Sequence, residues 1–292
     1  PAAKAASLVR TAELLLETEG PPAARPLLDD ALGDARAAGD RTVEALVLTE
    51  IARLELFGRD AEALARAEKL LDDADGLLGG VAAPRASRPA AAAEARESFA
   101  PDVAGAACRI AHYRGLLASR RGEPATSVAH LRRAYEIADG DPAQRSRILN
   151  SWGLQLEAWG DADEARRLLE RSLELKLELE DLYGAAATYG ALAFLHSRLG
   201  AYAEARDALA RDLELSERIG AKDVLPGLHA RLAGALVGLG RIGGAEREAR
   251  TAIELAEKSS SVPSQRAKLF AWRELARVHL TQGLLAQARE AA

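Results

Sequence analysis

A glycine recurs along this chain at a nearly constant interval: Gly122, Gly160, Gly200, Gly240 and Gly283 are separated by 38, 40, 40 and 43 residues. Its neighbours recur with it. Five residues after it stand Ala165, Ala205, Ala245 and Ala288, and seven before it stand Gly115, Gly153, Ala193, Ala233 and Ala276. A period of this length marks stacked supersecondary units, none of which can bury its apolar face alone. The stretch from Tyr183 to Gly220 shows the unit most clearly. In the run Ala187 to Leu199, Tyr189, Leu192, Ala193, His196 and Leu199 fall at spacings of three and four, one face of a helix. Gly200 ends it, because glycine tolerates the left-handed backbone of a helix terminus. A second run, Tyr202 to Ile219, carries Ala205, Ala208, Leu209, Asp212 and Leu213 on one face and stops at Gly220. Helices joined by so short a turn are antiparallel neighbours. Small residues at the two recurrent places let their axes approach closely.

Composition agrees. Hydrophobic residues make up 48% of the chain but aromatics only 4%, and the excess of Ala and Leu consists of strong helix formers. One passage dissents: Leu173, Leu175, Leu177 and Leu179 alternate with other residues at the period of a strand. Leu, Glu and Lys are helix formers rather than β-branched, so this passage is also expected to be helical.

The motif resembles the tetratricopeptide repeat. The copies read Leu149, Trp152, Gly153, Leu156, Ala165 and Leu169; then Tyr189, Leu192, Ala193, His196, Ala205 and Leu209; then His229, Leu232, Ala233, Leu236 and Ala245; then Trp272, Leu275, Ala276, His279 and Ala288. The period is near 40 rather than the family's 34, and the terminal proline is mostly missing. About six extra residues shared by two helices lengthen each by roughly one turn. That is similar to the longer-helix branch found in scaffolds and in regulatory segments of large bacterial signalling proteins. The resemblance implies an all-α fold, a right-handed α-solenoid of stacked antiparallel helix pairs, with the first helix of each pair lining a concave face.

Three regions follow. Residues 1–78 are degenerate helix pairs: Ala5 to Glu19 with Leu8, Ala12, Leu15 and Leu16 inward, Ala24 to Ala38 with Pro26 in its first turn, then Thr42 to Phe57 and Asp60 to about Leu78 around a turn at Gly58. Residues 79–101, rich in Ala, Pro and Gly, break the rhythm; they read either as a mobile loop with a short helix over Ala90 to Phe99 or as a disordered linker, and they are the candidate boundary. Residues 102–292 carry the regular array, with copies at 102–140, 141–180, 181–220 and 221–262 and a partial one from 263. The absence of methionine and the stop at Ala292 within a helix suggest a segment of a larger protein.

Chemistry is sparse. A net charge of −5 argues against a nucleic-acid partner. No apolar run reaches the ~18 residues of a membrane span and no secretory signal is visible. The single Cys108 fits a reducing compartment, so a cytoplasmic location is expected. Gly238 to Gly243 matches G-x-G-x-x-G, but a dinucleotide site needs a preceding strand, and here a helix precedes. His112, His130, His196, His229 and His279 form no metal-ligand spacing; His196, His229 and His279 occupy slots of packed residues. No phosphate loop or nucleophile elbow appears. No enzyme activity, cofactor or metal is expected.

What remains is the inner face. Slot matching to the resembled family, whose first helices bind extended peptides or partner helices, implies Arg109, His112, Tyr113 and Arg120, then Arg147, Asn150, Ser151 and Leu154, then Phe194 and Arg198, Arg231, and Arg273 and Arg277 as the groove. Arginines dominate these slots, with only Glu157 and Glu274 as acids, which favours an acidic peptide or carboxylate ligand. The leading expectation is a non-catalytic scaffold for protein–protein interaction. The alternative is a ligand-sensing regulatory domain of a larger bacterial signalling enzyme or transcription activator. Leu284 and Leu285 in the unfinished last pair offer a surface for self-association.

Overall fold

The computed structural model describes residues 1–18, 20–58, 60–79, 102–259 and 261–291. These residues form helices and turns, with no strand among them. They divide into two compact units, Pro1–Gln155 and Leu156–Ala292.

The first unit contains α1 (Ala2–Thr18), α2 (Pro21–Ala38), α3 (Arg41–Glu55), α4 (Ala61–Leu77), α5 (Val103–Arg120), α6 (Pro124–Ile137) and most of α7 (Pro142–Trp159). α1 packs on α2, α3 on α4 and α5 on α6, and α3 and α4 both pack on α5. The core of the first three helices is Ala5, Val9, Ala12, Leu28, Ala31, Ala35, Val43 and Val47. Ala45, Leu48, Ala74 and Leu78 then join Ala106 and Ile110 in one cluster. The helices on either side of residues 80–101 thus share a core. Fully buried Leu28, Leu71, Leu131 and Ile148 each supply about 1.5–3 kcal/mol of transfer free energy.

The second unit contains the end of α7 with α8 (Ala162–Glu178), α9 (Leu182–Arg198), α10 (Tyr202–Arg218), α11 (Leu225–Gly238), α12 (Ile242–Glu257), α13 (Val262–Thr281) and α14 (Leu285–Ala291). Each helix from α8 onward packs on its successor, and α11 also packs on α13. One core joins Ala165, Leu169, Leu192, Ala193, Leu195, Ala205, Leu209, Leu228 and Ala235. Another joins Ala230, Ala233, Ala249, Ala252, Ala271, Leu275 and Ala276. The leucine-alternating passage is helical, inside α8.

The recurrent residues do what their spacing requires. Gly122, Gly160, Gly200, Gly240 and Gly283 all have φ between 70° and 92°. Ala165, Ala205 and Ala245 are fully buried. At Gly115 a Cβ would stand 2.7 Å from Leu131 Cγ, so the close approach of α5 and α6 excludes any side chain there. An aspartate after the turn caps the next helix in several copies. Asp40 Oδ1 accepts from the N–H groups of Thr42 and Val43, Asp141 from Gln144, Asp161 from Glu164 and Asp181 from Gly184. Such caps satisfy donors that a helix start leaves orphaned.

Two local expectations are corrected. α2 begins at Pro21, so Pro26 lies inside the helix rather than in its first turn; the adjacent Pro21 and Pro22 already occupy the positions where a missing N–H costs nothing. Gly58 is absent from the positive-φ glycines. It is required instead by proximity, since a Cβ there would stand 2.6 Å from the Ala63 Cβ. The loop or short helix expected over 79–101 falls, apart from Gly79, outside the described residues.

Candidate functional site

The sequence-derived groove residues lie on the first helices of the pairs, and the two units treat them differently. In the first unit, α5 turns Arg109 and Tyr113 inward onto a charge cluster assembled from three helices. Arg109 Nη1 donates to Glu50 Oε1 of α3 at 2.8 Å and to Glu13 of α1. Tyr113 Oη donates to the same Glu50 oxygen at 3.2 Å, and Arg53 lies 3.5 Å from the other. Burial works to raise the Glu50 carboxyl, but Arg109, Arg53 and the Tyr113 hydrogen bond outweigh it and hold it below its ordinary value. Burial likewise opposes the Arg109 charge, and Glu50 and Glu13 overcome it. Glu50 and Arg109 are therefore held as an ion pair. Removing one partner would strand a buried charge, at a cost of roughly 3–5 kcal/mol.

Beside it, His112 Nε2 lies 2.8 Å from Ser151 Oγ of α7, and its ring centroid is 5.3 Å from that of Tyr113. Burial, reinforced by Arg53 and Arg147, pushes His112 down to about 3, so the imidazole is neutral. Arg109, His112 and Tyr113 are thus buried groups bonded to other helices. Arg120, Arg147 and Leu154 are exposed, and Asn150 and Ser151 half-buried.

In the second unit most of these side chains are exposed. Phe194 of α9 is 48% exposed. Arg198, half-exposed, donates to the buried Glu157 at the end of α7. On α13, Arg273 and Arg277 both reach Glu274, which is 1% exposed. Arg231 behaves otherwise: half-buried on α11, it donates to the Gly190 carbonyl of α9 and carries a pKa lowered by burial. Nearby Asp212 of α10 is pushed up to about 6, chiefly by burial.

Other flagged side chains take structural places. Cys108 is buried with Sγ 3.5 Å from the Ala134 carbonyl, and burial pushes its thiol up to about 12, far from a reactive thiolate. His229 Nδ1 lies 2.7 Å from Glu248, His279 is buried and His196 half-buried. Gly238 ends α11, where a Cβ would overlap the Tyr202 ring, and Gly240 is the turn glycine; no strand precedes them. Among the described residues no group of three or more His, Cys, Asp or Glu could hold a metal ion, and no helix is long and apolar enough to cross a membrane.

The sequence pattern did not single out Glu13, Glu50 or Arg53, and it placed Asp212 only as a member of the apolar face of α10. Glu50 had a signal: it is a lone acid among the uniformly buried residues of α3 from Ala45 to Ala52.

No protein-family model matches the chain, and no curated protein matches its sequence. Solved structures do. The chain is similar to the Signal Transduction ATPase with Numerous Domains protein with a tetratricopeptide repeat sensor from Pyrococcus horikoshii, with a TM-score of 0.69, 14% identity, and coverage of 97% of this chain and 40% of that one. It therefore spans well under half of that protein's length. It is equally similar to the apo form of RapI, with a TM-score of 0.69, 12% identity, and coverage of 98% and 74%. BtubC from P. vanneervenii follows with a TM-score of 0.56, 15% identity, and coverage of 86% and 87%. At these identities the likeness concerns the fold, which is a stack of tetratricopeptide-type helix pairs.

Proposed function

We propose that this chain is a non-catalytic scaffold that binds a partner protein or peptide of acidic character, in the cytoplasm, through the first-helix faces of its repeats. The observation that carries this reading is how charge is distributed on the second unit's first helices. Arg198, Arg273 and Arg277 hold their guanidiniums half-exposed, while the carboxylates that orient them, Glu157 and Glu274, are buried. Phe194 and Leu280 add exposed apolar surface on the same helices. To an approaching partner such a face presents fixed cations and greasy contacts, the mixture that recognises acidic segments carrying hydrophobic anchors. In the first unit, the exposed Arg120 and Arg147 are the corresponding groove residues, whereas Arg109, His112 and Tyr113 are buried.

The test is selection of a random peptide display library on the immobilised chain. Enrichment of acidic–apolar sequences, lost with a Phe194→Ala, Arg198→Ala double variant, is expected. Absence of any enrichment, or enrichment unaffected by that variant, would overturn the reading.

A second reading is a ligand-sensing segment that restrains a neighbouring domain. It is favoured by the likeness to a signal-transduction ATPase of which the chain spans 40%. The full open reading frame discriminates: an ATPase, kinase or DNA-binding domain beside the repeats supports regulation, and its absence supports a free-standing scaffold.

A further inference from the structure

α13 carries an arrangement that general attraction for acids does not require. Glu274 is almost wholly buried, and both its oxygens are held by arginines of its own helix. Arg273 donates through Nε and Nη2 to Oε1 at 3.2 and 3.0 Å. Arg277 donates through Nη1 to Oε2 at 2.7 Å. Arg273 also lies over the Phe270 ring, 4.1 Å from its centroid. Both guanidiniums are thereby tethered at one edge while their side chains stay 62% and 48% exposed. A guanidinium has five N–H donors, so each retains several that Glu274 does not engage. Two cations over one anion leave a local charge of +1.

The flanks matter as well. Leu269, 74% exposed, stands four residues before Arg273, and Leu280, 55% exposed, three residues after Arg277. Spacings of four, four and three place all four residues on one helix face. The stripe reads apolar, cation, cation, apolar over about 16 Å.

We propose that Arg273 and Arg277 form a preorganised cradle for a single carboxylate of an extended peptide, whose apolar side chains on either side rest against Leu269 and Leu280. This rests on the reading that first-helix faces bind peptides, and it names the anchor and the motif. One carboxylate neutralises the surplus charge, and the planar forks match its two oxygens. Immobilising both arginines on Glu274 and Phe270 in advance lowers the ordering cost of binding. In an extended peptide, alternate side chains share a face about 6–7 Å apart, close to the roughly 7–9 Å that separates the cradle's midpoint from each leucine along α13. The recognised pattern is apolar-x-acid-x-apolar.

Fluorescence anisotropy on the full chain tests this with a labelled Ser-Leu-Ser-Glu-Ser-Leu-Ser peptide, a companion carrying Gln for Glu, and a companion carrying phosphoserine for Glu. The Glu peptide should bind at least tenfold more tightly than the Gln peptide. Arg277→Lys, which keeps the charge and a donor for Glu274, should weaken it severalfold. Glu274→Gln should also weaken it, although that change makes the face more positive. Tighter binding by Glu274→Gln would show attraction by charge alone and overturn the cradle. Equal affinity for the Glu and Gln peptides, or a preference for phosphoserine, would overturn it too. If none of these peptides binds while display-selected peptides still bind through Phe194 and Arg198, the cradle fails and the groove stands; if neither set binds, both fail.

Discussion

Asp212→Asn should remove a pH dependence from the second unit that the wild-type chain possesses. Asp212 sits in α10 at 6% exposure, with Oδ1 accepting from Ser216 Oγ at 3.1 Å. Its Oδ2 is 2.8 Å from where a Cβ on Gly190 would stand, and Arg231 Nη1 is 3.4 Å from the same point. Arg231 nonetheless bonds the Gly190 carbonyl, and among the described residues no ion pair joins it to Asp212. Burial therefore dominates, Ser216 and Arg231 offset it only in part, and the carboxyl is pushed from 3.8 to about 6. Between those values the folded state keeps a proton that the unfolded chain has released. Stability from this group is greatest below pH 3.8 and is lost as pH rises through 6. The loss amounts to about 3 kcal/mol, 2.2 pH units at about 1.4 kcal/mol each. The unit spans residues 156–292; at about 2.1 cal/mol/K per residue its unfolding entropy is about 0.3 kcal/mol/K, which converts the loss to roughly 10 °C in Tm. Calorimetry of wild type and Asp212→Asn from pH 4 to 8 measures it. Relative to the Asn variant, wild type should lose about 8 °C over that range, the part of the full loss that lies above pH 4. Parallel melting curves, or a wild type that gains on the variant as pH rises, would refute the reasoning.

The first unit should respond to acid in the opposite direction. His112 is held near 3, below its ordinary 6.5, so as pH falls from 7 to 5 the unfolded chain takes up a proton that the folded one refuses; segment-resolved hydrogen exchange should show α5 loosening, and His112→Gln should blunt the effect. Gly115→Ala should destabilise by about 1–3 kcal/mol, because its Cβ would collide with Leu131. Gly33→Ala, inside α2 with nothing within 4 Å, should stabilise by about 0.5–1 kcal/mol, both read from chemical denaturation. Glu180 occupies a left-handed position, φ 55°, of the kind that Gly39, Gly140 and Gly220 fill at the ends of other second helices; Glu180→Gly should raise stability by about 0.5–1 kcal/mol in the same assay.

The fold was legible because its determinants are local and repeated. Turn glycines, small residues at helix crossings and a stripe of apolar positions all lie within one copy, so five copies state the same instruction. The misreadings arose where a copy departs from the others. A start at Ala24 puts Pro26 in a first turn, but Pro21 and Pro22 themselves suit the opening of a helix, and α2 begins there. Gly58 shared the spacing of a turn glycine while serving a close contact with Ala63. Glu180 shows the converse: the left-handed backbone persists where glycine is missing, because the Asp181 cap and the packing of α8 and α9 hold the turn in place.

The candidate site was legible only as a set of slots. Arg109 and Arg273 both lie on first helices, and the repeat pattern alone does not say which of them is buried. One is buried because α1 and α3 supply Glu13 and Glu50, 96 and 59 residues earlier in the chain. The other stays exposed because its acid, Glu274, is its immediate neighbour and lies beneath it. Partners at such separations cannot be read from periodicity, since a repeat specifies where a side chain stands and leaves open what the adjoining copy places against it. Substituting Glu13 and Glu50 by leucine should bury Arg109 without a counter-charge and destabilise the first unit, while Arg198, Arg273 and Arg277, each held by an acid within the second unit, should keep their exposed geometry.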